Sequence, residues 1–266
     1  MSEAFSTIRV EIVRPGVARL VLARPDKHNA LNPVMLTEIT AAAEALGRDE
    51  GVRVVVLAGE GRSFCAGGDL QWMREQAGQD RAARLAQAGL LARMLATLDG
   101  LPKLTVAEVA GPAYGGGVGI VAVCDIAVAA EDAVFALTET RLGVIAATIG
   151  PFVVGRVGPS YARRVMLNAR RFSATEALGM GLVSAAVPLA TLRDAVDHEV
   201  ELALQCAPGA LAATKAMLRR LAAGEAFDSA ATASLLADRW ETAEAGAGLA
   251  AFFARSRPPW WPDDAA

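Results

Sequence analysis

The run AYGGGVGIVAVCD, Ala113 to Asp125, constrains this chain more than any other stretch. Three consecutive glycines precede an apolar run that carries no charge until Asp125. The residues before them, Leu104 to Gly111, predict a strand, and the apolar run after them predicts a short helix. Glycine allows a tight turn at such a junction, and it also lets another group approach the backbone closely.

A second loop, FCAGGDL, has the same design: it follows an apolar run that predicts a buried strand, Val52 to Gly59, and leads into a helical pattern. The N–H groups at a helix start lack partners and carry partial positive charge. Two such loops could each give one N–H to a single oxygen, which is how an oxyanion hole is built. Taken singly, each loop is better explained as a tight turn.

Phosphate-binding glycine motifs are disfavoured in this chain. No lysine follows the glycines as a Walker A loop requires, and the last glycine of GxGxxG, counted from Gly115, falls on Ile120.

The remaining patterns predict an α/β fold with a helical last third. Strand-like alternation on both sides of Pro15-Gly16 predicts a hairpin, and Asn32-Pro33 predicts an N-cap followed by proline at the first helical position. The pattern predicts helix over 70–98, one or two strands over 126–140, and mostly helix after Ser160. The late helices have apolar faces that would pack on the first part of the chain or on another subunit.

Composition excludes several classes of protein. The chain has 266 residues, 53% of them hydrophobic, and a net charge of −3 with scattered basic residues, so it can bury a sizeable core and shows no nucleic-acid surface. Three separated cysteines and two histidines favour neither a disulfide framework nor a metal site. We find no signal-peptide pattern and no apolar stretch long enough to span a membrane, and we expect a cytoplasmic protein.

Three motifs in order, RPDKHNALN, FCAGGDL about forty residues later and VAGPAYGGGVGIVAVCDIAVA, resemble those of the enoyl-CoA hydratase/isomerase, or crotonase, superfamily. The resemblance extends to ALTETRLGV, SATEALGMGLV and AAFFARSRPPW and covers nearly the whole chain. It implies a crotonase-like spiral of ββα units over 1–190 and a C-terminal helical oligomerisation region over 191–266. That region would build a homotrimer or a hexamer made of two trimers.

The resemblance also implies an acyl-CoA site, in which coenzyme A is part of the substrate and no other cofactor is needed. The thioester oxygen would lie between the backbone N–H groups of Gly68 and Gly116. The residues implied to lie near CoA are Lys27, His28, Ala30, Ala66, Gly67, Asp69 and Leu70. Asp69 is equally suited to capping the helix that follows it.

The acids depart from the pattern of familiar hydratases in this family, which use two glutamates. Glu139 in LTETRLG matches one of them, whereas Gly119 stands where the other is expected. We predict that Glu139 is catalytic, and that Gly119 either marks a missing acid or makes room for a branched substrate.

The stretches DLQWM, GGGVGI, TETRLG and VIAATIGPFVVGRVG resemble the bacterial branch that hydrates glutaconyl-type thioesters, such as 3-methylglutaconyl-CoA or isohexenylglutaconyl-CoA. Such substrates carry a distal carboxylate, which Arg141 could bind, although Arg141 is also explained as a surface residue. Trp72 could line the acyl pocket or belong to an amphipathic helix face.

Three functions stay open at this point. The first is hydration of an enoyl-CoA, and the second is Δ3,Δ2-enoyl-CoA isomerisation, which needs a single acid. The third is acyl-CoA binding without catalysis.

Overall fold

The computed structural model describes residues 5–261. Its strands are β1 Ile8–Arg14, β2 Gly16–Leu22, β3 Val52–Gly59, β4 Leu104–Val109, β5 Ala113–Tyr114, β6 Ile126–Ala130, β7 Val134–Ala136, β8 Arg171–Ser173 and β9 Ala185–Val187. Its α-helices are α1 Pro33–Arg48, α2 Leu70–Ala77, α3 Arg81–Asp99, α4 Gly116–Val123, α5 Gly150–Met166, α6 Ala174–Gly179, α7 Leu192–Leu204, α8 Pro208–Ala222, α9 Ser229–Trp240 and α10 Ala243–Ala254.

A six-stranded sheet in the order β1-β2-β3-β4-β6-β9 forms the centre of the fold. The predicted hairpin is confirmed, because β1 and β2 pair antiparallel across Pro15-Gly16, while β2, β3, β4, β6 and β9 pair in parallel. A second sheet has the order β5-β7-β8. The stretch 126–140 therefore contains two strands, and they belong to different sheets. The α/β expectation is confirmed.

The two faces of the large sheet are covered by different helices. On one face, Leu20, Val55 and Leu57 belong to a core cluster that includes residues of α1, α3 and α4. On the other face, Val54 and other strand residues pack with residues of α7. Strand residues alternate between the faces, so each strand contributes apolar side chains to both layers.

Local signals set several helix ends. The predicted cap at Asn32 is confirmed, since its side chain accepts a hydrogen bond from Met35 N, with Pro33 at the first helical position. The helix predicted over 70–98 is wrong in its continuity, because Asp80 caps a new helix, α3, by accepting from Ala83 N. Helix α5 begins before Ser160 and is interrupted by non-helical Gly158, which precedes Pro159.

The last three helices, α8 to α10, are joined to the sheet through a buried ion pair. Lys215 of α8, only 8% exposed, places Nζ 2.7 Å from Asp125 Oδ2, and Asp125 also accepts from Thr105. Helices α8, α9 and α10 surround a cavity of about 770 Å³ that is lined mainly by apolar side chains, including Met217, Leu235 and Trp260.

Candidate active site

The two glycine loops lie side by side in the folded chain. Cys65 N donates to Pro112 O at 3.2 Å, and Tyr114 N donates to Cys65 O at 2.8 Å, so the loops pair like two parallel strands. Because β3 and β4 are adjacent parallel strands, the loops that follow them emerge at the same edge of the sheet.

Glycine is required for this close pairing. Gly67 has a φ of +85°, and a Cβ atom on it would lie 2.9 Å from Tyr114 O. A Cβ atom on Gly117 would lie 2.5 Å from Cys65 O. Any side chain at either position would force the loops apart, so these glycines are needed for backbone packing.

The N–H groups of Gly68 and Gly116 have the properties that an oxyanion hole needs. Gly116 is the first residue of α4, where N–H groups have no partner within the helix and the helix dipole is positive. Within residues 5–261, neither N–H donates a hydrogen bond in the structure. The loops also touch next to both groups, because a Cβ atom on Gly115 would lie 3.8 Å from Gly67 Cα.

Glu139 lies beside the two glycine loops and comes from a third segment of the chain. It begins a short 3-10 helix, Glu139–Leu142, after β7, and β7 is held to the loop by the hydrogen bond from Gly115 N to Ala136 O. Glu139 Oε1 lies 3.0 Å from the position that a Cβ atom on Gly115 would occupy. The acid is therefore placed beside the first turn of α4.

The carboxyl group of Glu139 is in an unusual environment for an acid. Its Oε2 atom is buried and has no hydrogen-bond partner in the described structure. Burial raises the pKa of Glu139 above its ordinary value, and a hydrogen bond from its own backbone N–H only partly opposes this. A carboxyl group that has one oxygen without a partner and a raised pKa is suited to taking up and returning a proton.

Gly119 does not border open space. A Cβ atom on Gly119 would lie 2.6 Å from Ile149 Cγ2 and 3.4 Å from Leu95 Cδ2. The idea that Gly119 leaves room for a branched substrate is therefore wrong, because Ile149, at the start of α5, already fills that room.

Two other acids, Glu108 and Glu131, lie near the glycine loops in the sequence but have different surroundings from Glu139. Glu108 forms two hydrogen bonds with Arg19, at 2.8 and 2.9 Å, and lies near Arg193 of α7, on the face of the sheet opposite α4. Glu131 is exposed in the turn between β6 and β7.

The buried thiol of Cys65 has its pKa raised to about 12 by burial, so it is neutral at ordinary pH.

The residues implied to lie near CoA come together in space, along the turn before α1 and the first glycine loop. Ala66 N donates to His28 O at 2.9 Å. Lys27 and His28 are exposed, with His28 Nδ1 3.0 Å from Ser63 Oγ, whereas Ala30 is buried. Leu70 is 76% exposed at the start of α2.

Asp69 has partners of its own in the structure. It caps α2 by accepting from Gln71 N at 2.9 Å, and its Oδ2 lies 2.9 Å from Arg24 Nη2. Burial would raise the pKa of Asp69, but the hydrogen bonds from Arg24 and the capped N–H groups outweigh it and hold the pKa below its ordinary value.

The residues predicted near the acyl group lie at different depths. Trp72 is half-buried against the core and donates from Nε1 to Gln87 Oε1 at 3.2 Å. Arg141 is exposed, two residues after Glu139, and its guanidinium forms no ion pair with the residues that the structure describes.

The sequence patterns did not single out Ile149 or Arg24. Arg24 begins the quoted motif RPDKHNALN and Ile149 lies in VIAATIGPFVVGRVG, but the contacts of Arg24 with Asp69 and of Ile149 with Gly119 join residues distant in the chain. In the range 5–261, no three His, Cys, Asp or Glu side chains are arranged to hold a metal ion. Over the same range, no helix has both the length and the apolar character needed to cross a bilayer.

Comparison with known proteins identifies close relatives. A sequence model described as enoyl-CoA hydratase/isomerase matches residues 13–263. A protein of Thermus thermophilus named as a putative enoyl-CoA hydratase is 33% identical over 252 residues, which cover 94% of this chain and 99% of that protein. The Alternaria alternata enoyl-CoA hydratase ACTT6 is 35% identical over 206 residues, which cover 77% of this chain and 67% of that protein.

Solved structures show the same fold. An enoyl-CoA hydratase from Shewanella pealeana superposes with a TM-score of 0.92 at 37% identity and covers 96% of both chains. Pseudomonas aeruginosa AtuE superposes with a TM-score of 0.91 at 37% identity, covering 97% of this chain and all of that one. The expected crotonase-like architecture is therefore confirmed.

Proposed function

Because the chain belongs to the enoyl-CoA hydratase/isomerase family, we propose that it adds water across the α,β double bond of an enoyl-CoA thioester. The observation that carries this proposal is the placement of Glu139, with its unpartnered Oε2, beside the paired loops of Gly68 and Gly116. The names of its relatives, enoyl-CoA hydratases from bacteria and a fungus, support the same reaction.

The chemistry can proceed with one acid. The Glu139 carboxylate takes a proton from water as the water oxygen forms a bond to C3 of the substrate. The electrons of the double bond move to the thioester oxygen, where the N–H groups of Gly68 and Gly116 stabilise the negative charge. Glu139 then returns the proton to C2, so that both groups add to the same face.

Isomerisation is the second candidate, and the contact of Ile149 with Gly119 favours it. That contact leaves no space for a second carboxyl at position 119. A single Glu139 could remove a proton from C2 of a 3-enoyl thioester and return it at C4, using the same oxyanion hole for the enolate between the two steps.

The substrate that we propose is a branched or glutaconyl-type thioester with a distal carboxylate. Arg141, exposed and without an ion pair in the described structure, lies two residues from Glu139 and could bind that group in a bidentate manner. An Arg141→Gln variant should raise KM for 3-methylglutaconyl-CoA and leave KM for crotonyl-CoA unchanged.

The proposed assembly is a homotrimer or a hexamer, built through α8 to α10. These helices expose Leu236, Trp240, Phe252 and Phe253, which are 59% to 78% exposed in the single chain. Light scattering of the purified protein would give the oligomer mass, and a monomer would contradict the proposal.

The experiment that tests the function measures the absorbance of the conjugated thioester with crotonyl-CoA and 3-methylglutaconyl-CoA. A hydratase removes this absorbance, and Glu139→Gln should abolish the change. An isomerase creates the absorbance from a 3-enoyl-CoA and leaves the 2-enoyl substrates unhydrated. A protein whose Glu139→Gln variant keeps full activity would contradict both candidates.

A further inference from the structure

Arg24 lies behind the first glycine loop and is 17% exposed at its side chain. Its guanidinium donates from Nη1 to Ala30 O and from Nη2 to Asp69 Oδ2, at 2.9 Å for the second bond. Arg24 therefore bridges the turn before α1 and the residue that directly follows Gly68. Ala30 lies in the same turn as Arg24, whereas Asp69 is distant from it in the sequence.

Two peptide units, joined by a hydrogen bond, link Ala30 O to the N–H group of Gly68. Ala30 O and Leu31 N belong to one peptide unit, and Leu31 N donates to Gly67 O at 2.7 Å. Gly67 O and Gly68 N belong to the next unit. Since the C=O and N–H of a trans peptide point in opposite directions, the Leu31 bond turns the Gly68 N–H away from Leu31.

The hydrogen bonds in this series also polarise one another. A cation that donates to Ala30 O makes Leu31 N–H a stronger donor, and the bond to Gly67 O in turn makes Gly68 N–H a stronger donor. The loop is held on its other side, where Asp69 N donates to Leu31 O at 2.8 Å. From this arrangement we propose that Arg24 is a positioning residue, which orients and polarises the Gly68 N–H through two linked peptide units.

This inference rests on the proposed function, because it assigns Arg24 to the oxyanion hole that the function uses. A merely structural role of Arg24 would not predict the following difference between two binding interactions. Removing the guanidinium should weaken the interaction with the thioester oxygen, while the binding of the rest of the acyl-CoA stays nearly unchanged.

The test uses butyryl-CoA labelled with ¹³C at the thioester carbonyl, a saturated ligand that does not react. Infrared difference spectra of the full-length protein give the carbonyl stretch, which falls when the oxygen accepts strong hydrogen bonds. In wild type we expect a lower frequency than in water. In Arg24→Met we expect at least half of this shift to be lost, a fall in kcat of about 10-fold or more, and a change in butyryl-CoA affinity of less than about 3-fold.

Two further variants keep the test sharp if Arg24→Met folds poorly. Arg24→Lys keeps the charge but cannot hold both partners, so it should lose part of the shift. Asp69→Asn keeps the cap of α2 and the hydrogen bond from Arg24 to Ala30 O, so it should lose less of the carbonyl shift than Arg24→Lys. The control is Arg9→Met, an arginine on β1 that pairs with Glu11 and Glu60 and is about half exposed; it should keep the full shift.

The two possible failures can be told apart. A wild-type shift that persists in both Arg24 variants overturns the role of Arg24 and leaves the proposed function standing. A larger loss of the carbonyl shift in Asp69→Asn than in Arg24→Lys also overturns the proposal that Arg24 acts through Ala30 O. A carbonyl stretch in wild type equal to that in water overturns the oxyanion hole, and the role of Arg24 with it.

Discussion

Ile149 packs directly against Gly119, so that a Cβ atom on the glycine would lie 2.6 Å from Ile149 Cγ2 and 3.1 Å from Ile149 Cβ. Ile149 is 1% exposed, and it begins the turn into α5. The two residues together close the side of α4 at which a second acid was expected. This contact leaves no room for a carboxyl side chain at position 119.

The contact predicts that even a methyl group at position 119 is harmful. Gly119→Ala should lower the free energy of unfolding by about 1–2 kcal/mol, because Ile149 has to shift in a packed core. Urea unfolding would measure this loss. The matched control is Gly89→Ala in α3, where no atom lies within 4 Å of the added Cβ, and this change should be neutral or stabilising. Equal stability of the two variants would contradict the packing.

The raised pKa of Glu139 predicts the pH dependence of the rate. Both candidate reactions start from the carboxylate, so kcat/KM should rise with pH and level off above the pKa of Glu139. Burial raises that pKa, and the midpoint should therefore lie above the ordinary glutamate value of roughly 4.3. A pH series of initial rates, with circular dichroism to verify folding at each pH, would measure it. A midpoint at or below the ordinary value would argue against Glu139 as the base.

The same shift predicts how Glu139→Gln changes stability. A folded-state pKa above the unfolded one means that the folded chain binds the proton more tightly. The stability that this supplies is complete below roughly pH 4.3, the unfolded value, and is lost as the pH rises through the folded-state pKa. The variant does not titrate, so its Tm relative to wild type should increase as the pH rises above roughly 4.3 and through the folded-state pKa of Glu139.

The size of that increase is modest. Because the carboxyl group of Glu139 is only half-buried, solvent screening limits the gain in Tm. Thermal melts of both proteins across this range would provide the comparison. A difference in Tm that stays constant or shrinks with increasing pH would show that Glu139 is not desolvated in solution.

The buried pair of Lys215 and Asp125 predicts a large loss when one partner is removed. Lys215→Met should cost about 3 kcal/mol of unfolding free energy, because it leaves the Asp125 carboxylate without its cation. Arg219 lies on the same helix as Lys215 but forms a more exposed pair with Asp99 of α3, so Arg219→Met should cost less than about 1 kcal/mol. Urea unfolding of both variants tests this, and similar costs would contradict the burial of Lys215.

Features that depend on neighbours in the chain could be predicted from the sequence. Pro15-Gly16 and Asn32-Pro33 determine the turn and the helix start through backbone geometry that acts within a few residues. The break between α2 and α3 does not follow from periodicity, because the pattern of apolar residues continues across the cap at Asp80. The placement of the site residues beyond these local signals came from the resemblance of three motifs to a family.

Contacts between residues that are distant in the chain could not be predicted from these local patterns. Glu108 lies in the strand before the glycine loop, and only its pairing with Arg19 shows that it points away from α4. Arg24 precedes a proline in an ordinary turn, and nothing near it in the sequence indicates that Ala30 and Asp69 are both within reach of its guanidinium.

The sequence by itself determined the α/β class and the two glycine loops, since periodicity and turn residues are properties of nearby residues, and the resemblance of its motifs to a family indicated one matching acid. The tertiary structure decided that Ile149 fills the space beside Gly119, that Glu139 Oε2 is buried without a partner, and that Arg24 is linked to Gly68. These depend on which distant side chains share a volume, and packing and desolvation are settled only when the chain is folded.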